Sequence, residues 1–211
     1  MFGSSTKVEL YATLTGIFTA GLIISNVIAS KTVDFFSFAV PCSIIIFPII
    51  FIVNDILSEV YGYRKTLRVI LLGFVINVVA VLCYHITIWL PAPSYFENTV
   101  AYNIVLASTL RVLIASFAAY LLGSIVNSQI MVYLKRVDEE KLFLRCILST
   151  AIGESLDAII FITLGFLGTI PFEILIGTIA VQAVFKTVYE IVVYPLTRRI
   201  IFYVKGLPEG T

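Results

Sequence analysis

LYATLTGIFTAGLIISNVIAS, Leu10 to Ser30, is 21 residues without one charge. A helix needs about 20 such residues to cross the roughly 30 Å hydrocarbon core of a bilayer, so the stretch reads as a membrane span. It outruns the apolar region of a cleavable leader and is expected to stay in the chain. Three more uncharged windows follow: Phe35 to Asn54, Val69 to Phe96 and Val112 to Leu134. Two further apolar stretches carry charge inside them. One, near Leu144 to Leu167, holds Glu154 and Asp157; the other, near Phe172 to Tyr194, holds Lys186 and Glu190. The apolar residues do not alternate with period two, so barrel strands are excluded and helices remain as the way to satisfy backbone groups in lipid. The expected class is all-α: a polytopic bundle of six transmembrane helices near 10–31, 36–58, 67–90, 103–134, 144–167 and 172–203, in a single domain over 1–211.

Composition agrees. The 211 residues are 60% hydrophobic and 13% charged, with mean hydropathy +1.05, whereas soluble domains average about 45–50% apolar and about 25% charged. That leaves no material for an extramembrane catalytic domain. Cys42, Cys83 and Cys146 are isolated and His85 is the sole histidine, so neither a disulfide framework nor a metal site is expected. No GxSxG elbow, HExxH or GxGD motif is present, and the expectation is a protein that is not an enzyme and takes no cofactor.

Basic residues orient the bundle, because cytoplasmic loops collect Lys and Arg. With the N-terminus inside, the inner segments hold Lys7, Arg64, Lys65, Arg68, Lys135, Arg136, Lys141, Arg145, Arg198, Arg199 and Lys205, 11 of the 14. Both termini are then cytoplasmic, and only Lys31 lies in an outer loop.

The remaining charges sit where lipid disfavours them, at roughly 2.5–3.5 kcal/mol each near a helix centre. Arg111, Glu154, Asp157 and Lys186 are the deepest by position. Glu154 and Asp157 share a helix face at i, i+3, and a short turn places Lys186 beside them at similar depth. The group reads either as an interhelical ion pair or as a polar pocket. Lys186 and Glu190, at i, i+4, could also satisfy each other. Span two ends in Asn54-Asp55 and Glu59, within reach of Arg64 and Arg68: a salt-bridge network at the inner face, or a gate or proton-coupling element. Pro48 falls mid-span and suits a kink. Asn26, Asn77, Asn127 and Gln182 add uncharged donors and acceptors.

The stretch Phe47-Pro-Ile-Ile-Phe51-Ile-Val-Asn-Asp55-Ile-Leu-Ser-Glu59-Val-Tyr-Gly62, followed by Arg64 and Arg68, resembles the signature of the queuosine precursor transporter family, also grouped with the vitamin uptake transporters. Ser25-Asn26, Arg111 with Ser116 to Gly123, Arg145 with Ser149-Thr150, Asp157 with Phe161, and Lys186 agree with it. The resemblance implies import of 7-deazaguanine bases across a bacterial inner membrane by a secondary transporter. Asn26, Arg111, Glu154, Asp157, Gln182 and Lys186 would contact substrate, and Pro48, Asp55 and Glu59 would serve coupling or gating. The implied partners are a small nucleobase-like molecule and the lipid bilayer, with no nucleic acid; a homo-oligomer is compatible. An alternative is the substrate-binding subunit of an energy-coupling-factor vitamin importer, which would need ATPase partners.

Overall fold

The computed structural model describes residues 6–35, 38–107, 110–168 and 171–208. In chain order, the described residues form α1 (Lys7–Ile28), β1 (Thr32–Phe35), β2 (Phe38–Pro41), α2 (Phe47–Tyr61), α3 (Tyr63–Trp89), α4 (Thr99–Leu106), α5 (Leu110–Val137), α6 (Leu142–Phe166) and α7 (Phe172–Lys205); a 3₁₀ turn over Cys42–Ile45 joins β2 to α2. Five helices, α1, α3, α5, α6 and α7, are long and apolar enough to cross a membrane. Along α3, Leu71, Leu72, Val75, Val79, Leu82 and Ile86 are all exposed. Their helical spacing makes an apolar stripe suited to lipid contact.

The second uncharged window does not become one long helix. Its first part pairs with the preceding residues as an antiparallel hairpin, with Val33 opposite Val40 and Thr32 opposite Pro41. The expected all-α class therefore needs one correction, a two-stranded hairpin. The reason lies in the residues: β-branched and aromatic side chains favour strands, and two prolines restrict where a helix can begin. Pro48 sits in the first turn of α2, where a missing N–H costs nothing, so it starts the helix rather than kinking its middle. At 15 residues α2 spans about 22 Å, and the hairpin and 3₁₀ turn occupy the place beyond its N-terminus. The fourth expected span is also divided, because α4 ends at Leu106 and α5 begins at Leu110.

Both ends of the described chain meet on one face. The Lys7 N–H donates to the Pro208 carbonyl at 2.9 Å, the Tyr61 hydroxyl donates to the Lys7 carbonyl at 2.8 Å, and the Tyr11 hydroxyl donates to the Lys65 carbonyl at 3.0 Å. We call this the basic face. Between α2 and α3, Gly62 turns the chain with φ +79°, a conformation that favours glycine.

Phe18, Leu22, Ile50, Leu57, Ile70 and Met131 form the largest apolar core, on the α1, α2, α3 and α5 side. Across from it α5 and α6 pack most intimately, and two glycines permit the approach. A Cβ added to Gly153 would lie 2.7 Å from the Asn127 Cβ and 2.9 Å from the Gly123 carbonyl oxygen. Small residues at helix crossings are how membrane bundles bring backbones together. The close crossing sets Asn127 of α5 and Thr150 of α6 side by side, facing α2.

Gly153→Val is expected to cost about 1–3 kcal/mol by forcing this crossing apart, read as a lower midpoint in thermal unfolding of the detergent-purified protein. Gly16, whose added Cβ would meet nothing within 4 Å, is the control: Gly16→Ala is expected to leave the midpoint unchanged or slightly raised.

Candidate functional site: a buried polar column

Between α2, α5, α6 and α7 the polar residues stack into a column that descends to the basic face. At its upper level, Lys186 of α7 reaches two acids of α6: its Nζ lies 2.5 Å from Glu154 Oε2 and 2.7 Å from Asp157 Oδ2. Glu154 and Asp157 are one helical turn apart and face the same way, so one ammonium serves both. The same Nζ sits 4.8 Å from the centroid of the Phe47 ring and 5.7 Å from that of Phe51, cation–π contacts contributed by α2. All three charged residues are buried, at 3% exposure or less.

A narrow cavity opens above this group, lined by Pro41, Ser43, Phe47, Ser116, Asp157, Phe161, Gln182 and Lys186 among others. Ser43 and Pro41 come from the hairpin and 3₁₀ turn, so the non-helical segment forms one wall. That placement agrees with the rule that irregular backbone survives in a membrane protein where it is buried or lines a cavity. Gln182 is buried, and its Nε2 has no hydrogen-bond partner among the described residues. Space remains between these side chains for little more than a water molecule.

One level down, Asp55 of α2 is fully buried. Its Oδ1 accepts from Asn127 Nδ2 at 2.9 Å and its Oδ2 from Thr150 Oγ1 at 3.3 Å. Nearby, Asn54 Nδ2 donates to the Ser124 carbonyl at 3.4 Å, and the Ser58 and Ser128 hydroxyls share a hydrogen bond of 2.8 Å. At the bottom, Glu59 is gripped from three helices. Arg145 binds it in bidentate fashion at 2.8 and 3.3 Å, Lys205 Nζ lies 2.6 Å from Oε1, and Lys135 Nζ contacts Oε1 at 3.3 Å and the Glu59 carbonyl at 2.6 Å. Arg145 also donates to the Glu139 carbonyl at 3.0 Å.

Several expected partners are replaced. Glu59 meets Arg145, Lys135 and Lys205 rather than Arg64 and Arg68, because α2 descends among the ends of α5, α6 and α7 before the chain turns into α3. Lys186 pairs across to α6 and not along its own helix with Glu190. Asn26 does not enter the cavity; its Nδ2 donates to Asn77 Oδ1 at 2.7 Å, joining α1 to α3. The side chain of Arg111 lies outside the described residues. Arg145, one of the basic residues of the inner segments, sits in the first turn of α6 and is buried on Glu59, a contact that charge counting does not show; the hairpin wall has no counterpart in the span pattern. The pairing of Asp55 with Asn127 depends on the close crossing at Gly123 and Gly153, a tertiary contact that no sequence spacing announces.

Apolar helices built around a buried ionic column define a polytopic membrane protein with a polar site inside the bundle. Residues 41–200 match the family model described as "Putative vitamin uptake transporter", and the chain belongs to that family. It is similar to a curated protein of Bacillus subtilis (strain 168) named "Probable queuosine precursor transporter", at 24% identity over 155 residues that cover 72% of this chain and 67% of the relative. No solved structure matches. The chain is thus a multi-pass membrane transporter and not an enzyme.

Removing Lys186 leaves two buried acids without their cation. Lys186→Met is expected to destabilise by about 3–5 kcal/mol, and adding Asp157→Asn to recover part of the loss. Thermal unfolding of the two variants in detergent checks the order; equal midpoints for wild type and Lys186→Met would contradict the ion cluster.

Proposed function

We propose that the protein is a secondary transporter of a bacterial inner membrane that imports 7-deazaguanine bases, the precursors of queuosine. The single observation that carries this reading is the cavity at Asp157, Gln182 and Lys186. A guanine-like ring presents adjacent N–H donors that a carboxylate accepts in pairs, and a carbonyl edge that accepts from an amide or ammonium. Asp157 supplies the first, and Gln182 Nε2 and Lys186 supply the second. Phe47 and Phe161 line the same space and offer faces for stacking. Family membership and the name of the Bacillus relative support the same substrate class.

The cavity is too tight for a base as it stands, so binding requires an opening on one side. Toward the hairpin the barrier is Pro41, Ser43 and Ile44. Toward the basic face, which the Lys and Arg distribution makes cytoplasmic, the barrier is the grip on Glu59. Release inward would break the contacts of Glu59 with Arg145, Lys135 and Lys205, which gives Glu59 the role of inner gate. Pro48 sits at the junction where α2 could tilt against the 3₁₀ turn, and Asp55 lies between cavity and gate.

Uptake of radiolabelled queuine by cells lacking their own carrier tests the proposal. Asp157→Asn and Lys186→Ala are expected to abolish uptake while the protein still inserts, and Cys83→Ser, at an exposed site, to leave it unchanged. Purified protein is expected to bind 7-deazaguanines in calorimetry and to ignore biotin. Normal accumulation in both variants would overturn the site, and uptake only when ATPase subunits are co-expressed would overturn self-sufficient transport.

A further inference from the structure

Glu190 of α7 is an acid of the column that the transport reading leaves without a task, and unlike Glu154 it has no ion pair among the described residues. It lies one turn below Lys186 and is 2% exposed. Its carboxylate, the Asp55 carboxylate and the Cys146 sulfur each place an atom within 4.8 Å of the others. The Oε1 of Glu190 has no hydrogen-bond partner among the described residues, whereas both oxygens of Asp55 accept one.

Two ionised carboxylates this close, out of water, repel strongly unless a cation or a proton separates them. The cations nearby are committed elsewhere. Lys186 serves Glu154 and Asp157, and Arg145 serves Glu59. From α6, Cys146 and Thr150 face the pair, with Arg145 beside Cys146 and Glu154 one turn beyond Thr150. From α5 comes Asn127, with Tyr120 two turns away; from α7 come Lys186 above and Tyr194 below; and α2 adds Glu59 one turn below Asp55. The ionisable residues of α1 are Lys7, Glu9 and Tyr11, all in its first turns at the basic face. Asp55, with two donors, is the oxygen pair built to carry the charge. Glu190, with an unserved oxygen, is the one built to carry a proton.

We propose that Asp55 and Glu190 form the coupling site, holding one proton between cavity and inner gate. The proposal rests on the transport reading and adds its driving ion. With the gate closed the proton stays on Glu190, because releasing it would leave two adjacent charges in the bundle. When the grip on Glu59 opens and water enters, the O–H bond of Glu190 breaks, the proton passes to water, and the resulting carboxylate is hydrated. Uptake of a base from outside is thereby tied to proton entry.

The test uses the full chain reconstituted in sodium-free liposomes with radiolabelled queuine. At one proton per base, a pH gradient of one unit concentrates the base about tenfold. The wild type is expected to accumulate it to that order with acid outside and not without a gradient. Glu190→Gln, neutral at all pH, is expected to keep base-for-base exchange and lose the response to the gradient, and Asp55→Asn also to lose that response. Infrared titration supplies a readout free of substrate: the carbonyl band of a protonated carboxylic acid is expected in the wild type and reduced in Glu190→Gln. Accumulation driven by sodium instead, a stoichiometric metal found in the purified wild type and lost in Glu190→Gln, or an infrared band unaltered by the substitution would overturn the coupling site. Absence of any queuine exchange by the wild type would instead sink the substrate reading, and the infrared result would then decide the proton pair alone.

Discussion

A lysine buried among apolar helices must be met by negative charge, and Lys186 is met twice, by Glu154 and Asp157. The pairing fixes the register of α7 against α6. With α7 so placed, Gln182 falls one turn above, at the cavity, Glu190 one turn below, beside Asp55, and Lys205 at the far end, against Glu59. Each of these positions follows from helical spacing once one contact is set. The aromatic rings of Phe47 and Phe51 add a second attraction for the same ammonium and bring the start of α2 to it. The close crossing of α5 and α6 at Gly123 and Gly153 then presents Asn127 and Thr150 as donors to Asp55.

The column is unbalanced by charge, and the imbalance is what gives it a use. Its upper and middle levels hold four acids, Asp55, Glu154, Asp157 and Glu190, against the single cation Lys186. Its lowest level is the reverse, with Glu59 among Arg145, Lys135 and Lys205. Apolar side chains of similar volume would hold the helices together at no greater cost, which favours a task for the stack beyond stability. Its upper level opens on a cavity with an unsatisfied amide, and its lower level ties together the ends of α5, α6 and α7 through a carboxylate that hydration could release. On the proposed reading these two ends bind the base and close the inner door.

Much of the bundle is readable from charge-free length alone. Leu10 to Ser30 and Val69 to Phe96 become α1 and α3, and the charge-bearing stretches become α6 and α7, because lipid-facing apolar residues need no partner in the chain. What pattern could not reach depended on tertiary contact. Residues 38–46 are as apolar as a span but pair as a strand and turn, and only the folded neighbourhood of α7 makes that shape useful. The Lys186 group was visible because Glu154 and Asp157 share a face and the connection to α7 is short. The grip on Glu59 was not, since its three cations lie 76 to 146 residues away in the chain, and the nearer Arg64 and Arg68 looked the better partners. Asn26 shows the converse: a polar residue in a span whose partner, Asn77, makes it a clasp between α1 and α3.

The central claim is that the cavity beside Lys186 is where the transported base rests. An experimentally determined structure of the protein saturated with 7-cyano-7-deazaguanine tests it most directly. The ring is expected between Phe47 and Phe161, with its paired N–H groups on Asp157 and its carbonyl edge toward Gln182 and Lys186. Ligand held elsewhere in the bundle, with Lys186 still closed on both acids and the cavity unchanged, would contradict it.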